Sequence, residues 1–198
     1  MLLRQLYLAY FEAERFDAAL ETVESALELE ILPDVLHQDA ARAALASGQL
    51  EEAVSHLRAA ARRGPASRRP FHLWTLGSVL FLAHRYDESV SALQRAVRWG
   101  TRDKPLYRAH LALARISAGE RVNDLQGTID ELATAPCGQG YGRFVLGHLA
   151  YAAGEFGVAK RYLDAFVRRT EAARAAMAIA LAGEVRMAKA TLAKMAPS

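Results

Sequence analysis

The sequence predicts an all-α fold, a right-handed superhelical solenoid of about six antiparallel helix pairs. Three observations carry that expectation. A tight-turn position recurs at Glu14, Gly48, His84, Gly119, Gly154 and Gly183, at spacings of 34, 36, 35, 35 and 29 residues. Small residues follow five positions after five of the six turns, at Ala19, Ala53, Ser89, Ala159 and Ala188. Apolar residues recur at helical spacing on both sides of each turn, with no alternating strand pattern. A fixed period in this range is the mark of stacked helix–turn–helix units, each too small to bury its own apolar face.

The units are expected at about 1–34, 35–69, 70–104, 105–139, 140–169 and 170–198, in one repeat domain covering 1–198. In the first, Leu3, Leu6, Tyr7 and Tyr10 share a face of the leading helix. Ala19, Leu20, Val23, Ala26 and Leu27 share one on the second, which Pro33 should stop. Gly64-Pro65 closes the second unit and Trp99-Gly100 the third. Close approach within pairs is expected where Ala41 meets Ala53 and Ala60, Gly77 meets Ser89 and Ala96, and Gly147 meets Ala159. The fourth unit is the weakest: Asp124 stands where a small residue belongs, and Gly127 falls inside the helix at a cost of about 1 kcal/mol against Ala. Ala135 to Gly140 then reads as an exposed, hinge-like break. The sixth unit is short, and no polar capping element flanks the stack, which suggests a fragment of a longer protein or ends open to a partner or to self-association.

The units resemble tetratricopeptide repeats. The residues that carry the resemblance are Leu73, Leu76-Gly77, Leu80, Ser89, Leu93 and Ala96 in the third unit, and Leu146-Gly147, Ala159 and Leu163 in the fifth. In the first they are Leu3, Leu6, Tyr10, Ala19, Val23, Ala26 and Pro33. The resemblance implies a superhelix whose leading helices line a concave surface. It places Leu8, Phe11, Gln38, Arg42, Leu45, Phe71, Trp74, Ser78, Phe81, Leu113, Ile116, Tyr141, Phe144, His148 and Tyr151 on that surface. This set is largely apolar and aromatic, which points to a groove for an amphipathic helix or apolar peptide of a partner protein, with Trp74, Phe81, Phe144 and Tyr151 as anchors. The bland alternative is that tight winding buries the same positions against one another. Family members that clamp a C-terminal carboxylate use Lys and Asn pairs. Arg4/Leu8, Gln38/Arg42, Trp74/Ser78 and Ala109/Leu113 stand at those positions here, which argues against that subclass.

No catalytic or cofactor motif is present: there is no HExxH, GxGxxG, P-loop or nucleophile elbow. The expectation is a non-enzymatic scaffold with no cofactor, catalytic residue or metal ligand. The alternatives are a repeat fragment that positions the catalytic or sensor domain of a larger protein, and a nucleic-acid-associated repeat protein. The six His residues are scattered, and the single Cys137 excludes an internal disulfide. Net charge is +3, and Lys occurs only at 104, 160, 189 and 194. The arginine bias fits GC-rich codon usage in a bacterial source. Arg58, Arg62, Arg63, Arg68 and Arg69 form a basic edge, while Glu12, Glu14, Asp17, Glu21, Glu24, Glu28 and Glu30 make the first unit acidic. A cluster at one edge without interleaved aromatics argues against nucleic-acid binding. No membrane-length apolar run and no signal-peptide pattern appear, so the expected compartment is the cytoplasm, or the periplasm if a leader was removed.

Overall fold

The computed structural model describes residues 2–196. Among these residues it contains twelve α-helices and no strand. They are α1 (Leu2–Glu12), α2 (Phe16–Leu27), α3 (Pro33–Ala46), α4 (Leu50–Arg63), α5 (Arg69–Leu82) and α6 (Tyr86–Trp99). Then come α7 (Lys104–Ser117), α8 (Leu125–Thr134), α9 (Gly142–Ala152), α10 (Phe156–Glu171), α11 (Ala175–Ala180) and α12 (Ala182–Lys194). Odd and even helices pair antiparallel, and each pair stacks on the next through α2–α3, α4–α5 and α6–α7. The result is a solenoid of helix pairs.

The five tight turns from Glu14 to Gly154 all hold the expected residue at positive φ: Glu14 at 56°, Gly48 at 79°, His84 at 59°, Gly119 at 83° and Gly154 at 80°. The sixth does not form at Gly183. That residue lies in the first turn of α12, and the chain bends at Leu181 instead. Pro33 also differs from expectation. It opens α3 at a position where its missing N–H costs nothing, while α2 has already ended at Leu27. The packing face of α1 centres on Tyr7 and Phe11, both buried, and leaves Leu6 exposed.

The glycines inside helices act as sockets for leucine. A Cβ at Gly77 would lie 2.5 Å from Leu93 Cγ, and one at Gly147 would lie 2.5 Å from Leu163 Cδ2. Gly77 also accepts the Ser89 hydroxyl at its carbonyl, 2.7 Å away, so Ser89 is both small and satisfied. The break after α8 is partly packed: Pro136 and Gln139 are exposed, while the turn between them leans on the core. Pro136–Gly138 forms a 3-10 turn, Gly138 is buried with its backbone against the Leu132 carbonyl, and Cys137 leans on the core.

Two polar staples fix the stack from outside the apolar core. Buried Asp34, in the first turn of α3, accepts from Arg68 Nε at 2.7 Å and Arg68 Nη2 at 2.9 Å, and its Oδ2 lies 2.9 Å from His72 Nε2 on α5. The Arg68 guanidinium holds this carboxyl down to about 2. On the outer surface Arg85 bridges Glu51 and Glu88, and Arg58 also reaches Glu88. Of the basic edge, Arg58 and Arg68 are thereby paired within the chain.

Candidate functional site

The leading helices present their inner positions to the axis of the superhelix, and the structure winds tightly enough to fill most of that space. Phe11, Gln38, Ser78, Phe81, Leu113, Phe144 and His148 are buried. Trp74, Ile116, Tyr141 and Tyr151 are half-buried. Only Leu8, Arg42, Leu45 and Phe71 remain exposed. An open apolar groove running the whole length is therefore replaced by a packed interior with a shorter accessible stretch. The physical cause is that the last turn of the solenoid curls back on the first: α11 touches α1 and α3, and its Ala176 and Ile179 pack on the core around Tyr7 and Phe11.

Trp74, Ser78, Tyr141, Phe144 and His148 converge on one seam. Trp74 and Tyr141 meet edge to face at 4.9 Å between ring centres, and Phe144 and His148 lie 4.5 Å apart. The polar tips of the seam are supplied by residues the sequence reading did not single out. Trp74 Nε1–H donates to His110 Nδ1 at 3.2 Å. Tyr141 O–H donates to Glu184 Oε1 at 3.2 Å. His148 Nδ1–H donates to the Phe144 carbonyl at 2.9 Å, which leaves Nε2 to accept from Thr191 at 3.3 Å. His110 sits one residue past an assigned inner position. Glu184 is the one acidic residue in an Ala/Leu/Gly-rich stretch, and that isolation was the available signal.

Burial sets the charge state of the seam. Loss of solvent pushes His110 down to about 3 and His148 down to about 4, so both rings are neutral at ordinary pH. The same loss pushes Glu184 up to about 7. Below about pH 7 the seam thus holds neutral hydrogen-bonding groups where charges would be costly. His110 Nε2 is buried without a partner.

The accessible stretch is a cleft of about 570 Å³ between the inner ends of α3 and α5 and the α11–α12 corner. Leu45, Ala46, Val79, Leu82 and Ile179 form its apolar floor, and Glu14, Arg42 and Arg186 its charged rim; buried Glu184 also lines it. At its edge, buried Asp39 accepts from Arg4 at 2.7 Å and from Arg42 at 3.0 Å, so both inner arginines are already engaged.

The family model of the tetratricopeptide repeat matches residues 39–105. That stretch is similar to tetratricopeptide repeats. The matched stretch covers most of α3 and runs through α6, the best-formed helix pairs of the stack. Two crystal structures of MamA share the fold at 18% identity. One superposes with a TM-score of 0.53 over 88% of this chain and 91% of the MamA chain. The other does so with a TM-score of 0.52 over 94% of each. No curated protein matches the chain. Repeats of this kind generally bind other proteins. No helix among the described residues is long and apolar enough to cross a membrane.

Proposed function

We propose that the chain is a non-enzymatic scaffold that binds an apolar or amphipathic helix of another protein on its inner face. The observation that supports this reading is that the chain already seats such a helix there. The segment Ala175–Ala180, AAMAIA, is apolar throughout and six residues long, and it lies against α1 and α3 through Ala176 and Ile179. The neighbouring cleft continues the same surface, with an apolar floor and a rim of both charges. A helix with an apolar stripe flanked by acidic and basic residues fits it. A carboxylate clamp fits less well, because Arg4 and Arg42 are held by Asp39.

Leu45 tests the reading, since it lines the cleft and is exposed enough to change without disturbing the core. Wild-type bait should capture a discrete partner from the source cell. Leu45→Asp should weaken that capture at least tenfold, about 1.4 kcal/mol, with the melting temperature almost unchanged. Capture that is indifferent to Leu45→Asp would place the partner elsewhere. Phe144→Ala, by contrast, should act through the fold, because Phe144 has no exposed surface; truncating a buried Phe typically costs ~3–5 kcal/mol.

A further inference from the structure

A second constellation lies on the outer surface, away from the inner face. Glu24 on α2 and Glu52 and His56 on α4 bring one carboxylate oxygen each and one ring nitrogen to within 4.8 Å of one another. Glu52 and His56 are four residues apart, so one helix presents both on the same side. Among the described residues neither Glu24 nor Glu52 forms an ion pair, in contrast to Glu51 and Glu88, which share Arg85. Two carboxylates face each other with no cation between them. The imidazole beside them also meets a second histidine: His56 Nδ1 lies 3.0 Å from His37 Nδ1 on α3. A contact that short between two ring nitrogens requires one N–H shared along it. If His56 supplies that N–H, its Nε2 is left as a free lone pair.

We propose that Glu24, Glu52 and His56 bind a divalent transition-metal ion, with Zn²⁺ the best-matched, and that His37 orients the His56 ring by accepting its Nδ1–H. The donor set is two carboxylates and one imidazole with no thiolate. That suits Zn²⁺ and its divalent neighbours and disfavours Cu(I); the imidazole disfavours Ca²⁺ and Mg²⁺. Bonds of ~2.0–2.2 Å around a tetrahedral ion put ligand atoms roughly 3.3–3.6 Å apart, so the side chains close by no more than about 1.5 Å. Glu24 is exposed and free to swing that far. Three protein ligands leave the fourth position to water. A ring N–H held by a partner behind the metal is the usual arrangement for a ligating histidine. The bound ion would tie α2 to α4, the second helices of successive pairs.

The test uses the whole chain, stripped of metal by a chelator and titrated with Zn²⁺ by calorimetry, with Co²⁺ absorption as a spectroscopic check. One Zn²⁺ per chain should bind and raise the melting temperature, since a ligand that binds only the folded state stabilises it. His56→Ala and Glu24→Gln should each weaken binding at least tenfold. His37→Gln should weaken it by about 10–100-fold, the range for a residue that positions a ligand. His84→Ala, at an exposed histidine on another helix pair, should leave Zn²⁺ affinity unchanged. Glu24→Gln keeps the test decisive if His56→Ala unfolds, because Glu24 has no packing role. Absence of Zn²⁺ binding to the wild-type chain overturns the proposal, and so does binding that survives both His56→Ala and Glu24→Gln. Either result leaves the inner-face reading untouched, since none of these residues lies on that face.

Discussion

Glu184 shows how a single buried side chain carries a measurable signature. Its folded pKa is raised to about 7 from an ordinary value of 4.5, chiefly by burial. A group raised in this way contributes its stability fully below its unfolded value and loses that contribution as pH climbs through the folded one. The window is therefore about pH 4.5 to 7. His110 and His148 run the other way: their folded values are lowered, so their contribution is present above about 6.5 and is lost as pH falls toward 4 and below. Replacing Glu184 with Gln removes the first effect and leaves the second. Glu184→Gln should therefore gain melting temperature relative to wild type at pH 8 compared with pH 5, read by thermal scans at both. An equal difference at the two pH values would mean that the carboxyl is not held in the protonated form by the seam.

At the scale of elements, α8 is the weak helix of the stack, and the structure shows what compensates. Asp124 stands just before its first turn and accepts the Gly127 N–H at 2.9 Å, which caps an otherwise open helix end. A Cβ on Gly127 would meet the Asp124 carboxylate as it now lies, so the carboxylate would have to shift to keep the bond. Asp124, which looks like a defect in the repeat, is the cap of this helix. Asp124→Ala should cost about 0.5–2 kcal/mol, and amide exchange should speed up in α8 before it does in α5 or α6. An unchanged exchange profile in α8 would show that packing of Ile129 and Leu132, both buried, holds this helix without its cap.

The whole molecule differs from a simple stack in one respect. In an open solenoid each unit touches only its neighbours, and damage stays local. Here α11 reaches α1 and α3 across the interior, joining the last turn to the first. Ile179 is the side chain that makes this join, packed on the core around Tyr7 and Phe11. Ile179→Ala should therefore accelerate amide exchange in α1 as well as in α11, although more than 160 residues of chain separate them. Acceleration confined to α11 and α12 would show that the ends act independently.

The repeat was legible in the sequence because its signals are local. A turn of fixed length needs a residue that tolerates positive φ, and a close helix pair needs small side chains at set distances from it. Five turns fall where the spacing puts them, and α4 and α6 end at the residues before Gly64 and Gly100. The final pair escaped because its bend uses ordinary backbone at Leu181, with no left-handed residue to announce it. What lies inside the superhelix was not legible. Helical periodicity says that Phe81, Phe144 and His148 share inner faces. It does not say how tightly the helices wind, and winding alone separates a groove from a core. The partners of that core, Glu184 and Thr191, come from a helix some 40 residues away from the groups they meet. The outer cluster obeys the same limit. Glu52 and His56 form a helical pair visible in the sequence, but Glu24 and His37 join them only when three helices stack. Local chemistry wrote the units into the chain; their curvature, and so what each face can bind, was decided by packing between residues that no spacing rule connects.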